Sequence, residues 1–137
     1  MSAPAVAASK DGKKLVAAWM DQRAKRNELD VFWAMGSGGR FESDRRVHDE
    51  ARGEQNHPAA VLEADGTAWL AWEDARGGKK AIWARSSREG AMETAVSEAS
   101  DGAAAYPALA AGPGGVVVVY EAGKGGNEKV MLARVSP

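Results

Sequence analysis

The chain has 137 residues, about one domain's length, and 45% of them are hydrophobic, enough for a packed core. Its 18 basic and 19 acidic residues leave a net charge of -1, without the basic surplus of a nucleic-acid groove. With no cysteine there is no disulfide framework or thiolate metal site, and no apolar run reaches the roughly 18 residues of a membrane-spanning helix.

The opening stretch, Met1 to Lys14, has neither a charged n-region nor a long apolar h-region, so no signal peptide is expected in it. From Pro4 the chain runs through three similar copies. Each begins with a proline and a short apolar run, at Pro4, Pro58 and Pro107. Proline suits the first residue of a strand, where its missing N–H breaks no ladder. Turn signals follow: KDGK, ADGT and GPGG. Then come KLVAAWM, AWLAWE and VVVVYE, rich in β-branched and aromatic residues, with Trp19, Trp72 and Tyr120 in matching places. After a polar loop a third strand is predicted at DVFWAM, KAIWAR and KVMLAR. Copies one and two add a weaker fourth run, around FESDRRVHDE and METAVSEA; copy three ends without one.

All anchors recur at about fifty residues, the spacing of propeller blades. The expected fold is therefore all-β: three four-stranded antiparallel meanders, the last short of its outer strand. Residues 1–137 form one three-blade unit, with blades at approximately 1–53, 54–103 and 104–137. No segment holds a helical apolar stripe for three turns. Propellers close with about 4–8 blades, so three leave two apolar flanks exposed. The expected remedy is a homodimer, each chain half of a six-bladed ring. The alternative is a fragment of a longer propeller.

Within WLAWEDARGGKKAIWARSSREGAMETA the chain resembles the sialidase-like, or Asp-box, propeller superfamily. Ser87 to Met92 stands where that family's Ser-x-Asp-Gly-Gly-aromatic turn would be, and Ser37 to Phe41 is a second worn copy. The resemblance implies six blades, an enzyme site built on an arginine triad with a Tyr/Glu nucleophile pair and an acid/base Asp, and a periplasmic or secreted location. The first arginine of that triad should precede the blade-opening proline by two residues. Ser2, Asn56 and Ala105 stand there instead, so sialidase activity does not carry over. A guanidinium fork is what a substrate carboxylate requires, and Asn lacks its charge.

Candidate ligand-binding residues fall on the rim shared by the strand-two to strand-three loops and the blade linkers. A repeated W-x-D-x-R supplies Asp21 with Arg23 and Asp74 with Arg76. Either the pair is offered to a ligand beside a stacking Trp, or Asp caps its own turn, Arg pairs with it and Trp fills the blade interface. His57 and Tyr106 directly precede two blade prolines, with Asn56 beside them, and are either ligand contacts or turn residues. His48 reads as solvated in an outer strand, and Trp69 and Trp72 should face opposite neighbouring blades. Asp49, Glu50 and Glu54 lack calcium-loop spacing, and no metal or cofactor is expected. The locally basic Arg23 to Arg26, Arg40, Arg45 and Arg46 read as solvated surface, offset by acidic neighbours. The leading functional reading is a non-catalytic module binding a glycan or protein. A glycoside hydrolase with Asp21, Glu73 or Asp74 as carboxylates, or a fragment that only assembles, are the alternatives.

Overall fold

The computed structural model describes residues 3–23, 27–49 and 52–136. Ser2, Lys25, Arg26 and Glu50, which entered the sequence reading, lie outside them.

Blade one contains β1 (Ala5–Ala8), β2 (Lys14–Asp21), β3 (Asp30–Ser37), β4 (Arg40–Phe41) and β5 (Arg45–Arg46). Blade two contains β6 (Gln55–Leu62), β7 (Ala68–Asp74), β8 (Ala81–Ser86) and β9 (Thr94–Ala95), and blade three β10 (Ala103–Gly112), β11 (Gly115–Gly123) and β12 (Lys129–Val135). Each sheet is an antiparallel meander in chain order. In blade one the outer strand is broken: β4 and β5 both pair with β3. Blade three has three strands.

Alternation along the strands sends side chains to two flanking cores. On β7, Trp69 and Ala71 pack with Val116, Val118 and Tyr120 of blade three, whereas Leu70 and Trp72 pack with Val16, Ala18, Val31 and Trp33 of blade one. The expected opposite facing of Trp69 and Trp72 is what the structure has. Trp83 lies against the blade-one side.

The prolines differ from expectation. Pro4 lies just ahead of β1, but Pro58 and Pro107 lie inside β6 and β10. The register slips between Asn56 and Ala59, and again between Ala105 and Ala108. A bulge leaves one residue out of the ladder, so a residue with no N–H costs nothing there. The residue before each proline, His57 or Tyr106, takes a positive φ of 46° or 56°. Such backbone is uncommon for non-glycine residues and re-aims the side chain.

Upstream of each bulge stands a glycine in a tight corner. Gly53 has φ 70° and Gly102 φ 90°. A Cβ at Gly53 would come within 2.6 Å of the Ala75 carbonyl oxygen, and one at Gly102 within 2.5 Å of that of Gly123. Both the conformation and the close backbone approach require glycine.

His48 corrects the sequence reading. It is buried, with Nε2 3.3 Å from Asp30 Oδ1 and its ring 6.3 Å from that of Trp72. After β5 the Val47 N–H still donates to the Val31 carbonyl oxygen, so the chain keeps beside β3, and the His48 side chain lies on the buried face it shares with Trp72.

Candidate functional site

Both W-x-D-x-R motifs fold back on themselves. Asp74 Oδ1 accepts hydrogen bonds from the Arg76 backbone N–H (2.9 Å) and Gln55 Nε2 (3.2 Å). Asp74 Oδ2 accepts from Trp72 Nε1 (2.9 Å) and Arg76 Nη2 (2.6 Å). Arg76 Nη1 reaches Glu93 at 2.7 Å, and its guanidinium lies 4.0 Å above the Trp83 ring. Burial pushes the Asp74 carboxyl up, but the bonds from Arg76, Trp72 and Gln55 outweigh it and hold the group below the usual carboxylate range. Burial works against the Arg76 charge, yet Asp74 and Glu93 together raise its pKa.

In blade one, Asp21 accepts from the Arg23 backbone N–H (2.7 Å) and side chain (2.6 Å), and Arg23 also meets Asp44 at 2.6 Å. This copy is solvent-exposed, whereas Asp74 is buried. These pairs lie at strand ends, Asp21 closing β2 and Asp74 closing β7. The geometry is that of the structural alternative: Asp caps the turn, Arg pairs with it, and in blade two Trp72 fills the blade interface. Blade three lacks the motif, and Tyr120 donates instead to Asp101 Oδ2 at 3.2 Å.

His57 and Tyr106, distant in sequence, are brought together at the mouth between blades two and three. Their rings meet edge to face at 5.0 Å between centroids. Between them lies Glu73, the residue next to Asp74, which alternation turns toward blade three. Its carboxylate is 1% exposed. Glu73 Oε2 lies 2.6 Å from His57 Nδ1 and accepts the Tyr106 backbone N–H at 3.1 Å; Oε1 lies 3.0 Å from Lys80 Nζ. Hydrogen bonding to Glu73 raises the Lys80 pKa. The Tyr106 N–H on Oε2 and the Lys80 charge beside Oε1 offset the lost hydration of this buried carboxylate. The imidazole is oriented too: its Nδ1 faces the Glu73 carboxylate. Asn56 is nearly buried and places Oδ1 3.3 Å from His57 Nδ1. Tyr106 is 62% exposed.

Of the sequence candidates, then, His57, Tyr106 and Asn56 converge, Asp74 with Arg76 form a neighbouring knot on the opposite face of β7, and Asp21 with Arg23 stand apart in blade one. Glu73, read from the sequence only as a possible hydrolytic carboxylate, is the hub of the first group. Lys80 was missed. Among the described residues, no group of three His, Cys, Asp or Glu side chains is placed to hold a metal ion.

No family model matches the sequence, and neither does any curated protein. Solved structures do match. A levansucrase from B. megaterium aligns over 90% of this chain with a TM-score of 0.59 and 12% identity, and an endo-arabinase from Bacteroides thetaiotaomicron over 98% with 0.57 and 12%. This chain spans 41% of the first and 55% of the second. A fucose lectin from Kordia zhangzhouensis, solved with methyl-fucoside, aligns over 98% of this chain and 94% of its own, with a TM-score of 0.60 and 9% identity. At these identities the likeness defines the fold: an all-β chain of propeller-type blades.

Proposed function

We propose that this chain is a non-catalytic, sialidase-like propeller module that binds a saccharide at the mouth between blades two and three, two copies closing a six-bladed ring. One observation carries the binding claim: an exposed aromatic ring, Tyr106, stands beside an imidazole whose orientation is locked by a buried carboxylate. A flat apolar face next to fixed hydrogen-bonding groups suits a sugar, whose C–H face stacks while its hydroxyls pair. The likeness to a fucose lectin of nearly the same length supports that ligand class.

The same geometry disfavours hydrolysis. Asp21 and Asp74 are committed to their own arginines, so neither arginine is available to clamp a ligand anion. Glu73 is enclosed by His57, Lys80 and the Tyr106 N–H.

The seams of the ring are not equivalent. The position before the blade proline holds Ala3, His57 and Tyr106, and the position after the strand-two aromatic holds Met20, Glu73 and Glu121. Only the boundary between blades two and three unites the carboxylate, the imidazole and the aromatic ring. The reading is one site per chain, complete without the partner. For the ring itself, Val130 (79% exposed) and Leu132 (65%) on β12, with Val6 (68%) and Phe41 (54%) in blade one, support a second copy as cover for the flanks.

A glycan array with wild type, Tyr106→Ala and Glu73→Gln tests the site. Saccharide binding that falls at least about tenfold in both variants supports it. An empty array, or binding indifferent to both changes, refutes it, and turnover of aryl-glycosides refutes the non-catalytic assignment.

A further inference from the structure

A second site of different chemistry lies at the outer seam of blades one and two. A cleft of about 540 Å³ opens there, lined by Trp33, Arg45, Arg46, Arg85 and Arg88 together with Asp49, Ser86, Ser87, Glu89 and Gly90. Four guanidiniums face two carboxylates, a local surplus of positive charge on a chain whose net charge is -1.

The fold creates this imbalance. In sequence, Asp44 adjoins Arg45, but in space it turns away to Arg23. Arg45 stacks on Trp33 at 4.5 Å, and Arg46 Nε donates to the His48 carbonyl oxygen at 3.2 Å. Neither has a carboxylate at ion-pair distance among the described residues. From blade two, Arg85 crosses the seam and donates to the Val47 carbonyl oxygen at 3.2 Å while pairing with exposed Asp49 at 3.2 Å. Arg88 is tied to Asp65 at 3.4 Å. Stacking and a carbonyl bond hold Arg45 and Arg46 without neutralising them, whereas Asp49 offsets part of the Arg85 charge and Asp65 with Glu63 offset Arg88. Such preorganised forks match an oxyanion in geometry as well as charge.

We infer that this cleft binds a tetrahedral oxyanion, a phosphate or sulfate ester group, gripped chiefly by Arg45, Arg46 and Arg85. The site is separate from the Tyr106 mouth and needs nothing from it. The test is titration of the full chain, in low salt, with inorganic phosphate, inorganic sulfate and a monosaccharide phosphate, read by the arginine Nε–H signals in NMR. Expected are saturable shifts in the Arg45 and Arg85 signals, weakened by added salt. Affinity should fall about tenfold in R45Q and again in R85Q, and be unchanged in Y106A. A better response to the monosaccharide phosphate than to the inorganic ions identifies a sugar-borne group. Non-saturable shifts, or shifts indifferent to R45Q in a variant that melts like wild type, overturn the inference. R45K, which keeps the charge but not the fork, is expected to bind between wild type and R45Q.

Discussion

Asp74→Asn separates a structural W-x-D-x-R from a ligand-gripping one. The carboxylate takes four donors, two on each oxygen: the Arg76 N–H and Gln55 on Oδ1, Trp72 Nε1 and Arg76 Nη2 on Oδ2. An asparagine has one oxygen, so two of these donors would face an NH2 group. The change also leaves Arg76, whose side chain is only 16% exposed, without its nearest counter-charge. Removing one partner of a buried ion pair costs about 3–5 kcal/mol. Arg76 keeps Glu93 at 2.7 Å and some solvent contact, which places the expected loss near the lower end, about 3 kcal/mol. For a domain of this size that is a fall in Tm of about 10 °C. The matched control is Asp21→Asn, the same motif in blade one, where Arg23 is 51% exposed and retains Asp44. Solvent screens that pair, so Tm should barely move. Unfolding followed by tryptophan fluorescence and far-UV circular dichroism measures both. Equal Tm shifts in the two variants would refute the burial argument. Loss of saccharide binding by Asp74→Asn without loss of stability would return Arg76 to the ligand.

Other consequences follow from the same contacts. Gly102→Ala must force a Cβ against the Gly123 carbonyl at positive φ and should cost more than about 1 kcal/mol in urea unfolding; an unchanged midpoint would show that the corner relaxes freely. Trp69→Ala, in the core between blades two and three, should cost about 3–5 kcal/mol, and a loss under 1 kcal/mol would mean those blades do not share a core. Asp74 has its folded-state pKa held below the ordinary 3.8, so its contribution to stability is present above the unfolded value and is lost as pH falls through the folded one. Urea midpoints should therefore drop below about pH 4, and less steeply in Asp74→Asn; an equal acid response in that variant would count against the assignment.

The blades were legible because their signals are local. Proline, turn and β-branched run recur within each copy, and period-two alternation alone placed Trp69 and Trp72 on opposite faces of β7. The bulges were not legible. His57 and Tyr106 are ordinary residues until a positive φ turns them, and the proline after each looks like a strand start. His48 was misread because its burial depends on Trp72 of the next blade packing over the outer edge of blade one. Glu73 is the instructive case. Its neighbour Asp74 sits in a visible motif, yet alternation gives the two acids different blades, and only the packing of β10 beside β7 brings the Tyr106 N–H to Glu73. Lys80 belongs to the same set through a loop whose path no spacing announces. Attention to which face of β7 each acid must occupy would have singled out Glu73.

Native mass spectrometry of the full chain with a saccharide selected on the array weighs site and ring together. The account requires an assembly near twice 14.4 kDa that carries two saccharides, both lost in Tyr106→Ala while the mass of the protein assembly is kept. A 14.4 kDa species, or a saccharide count other than one per chain, contradicts it.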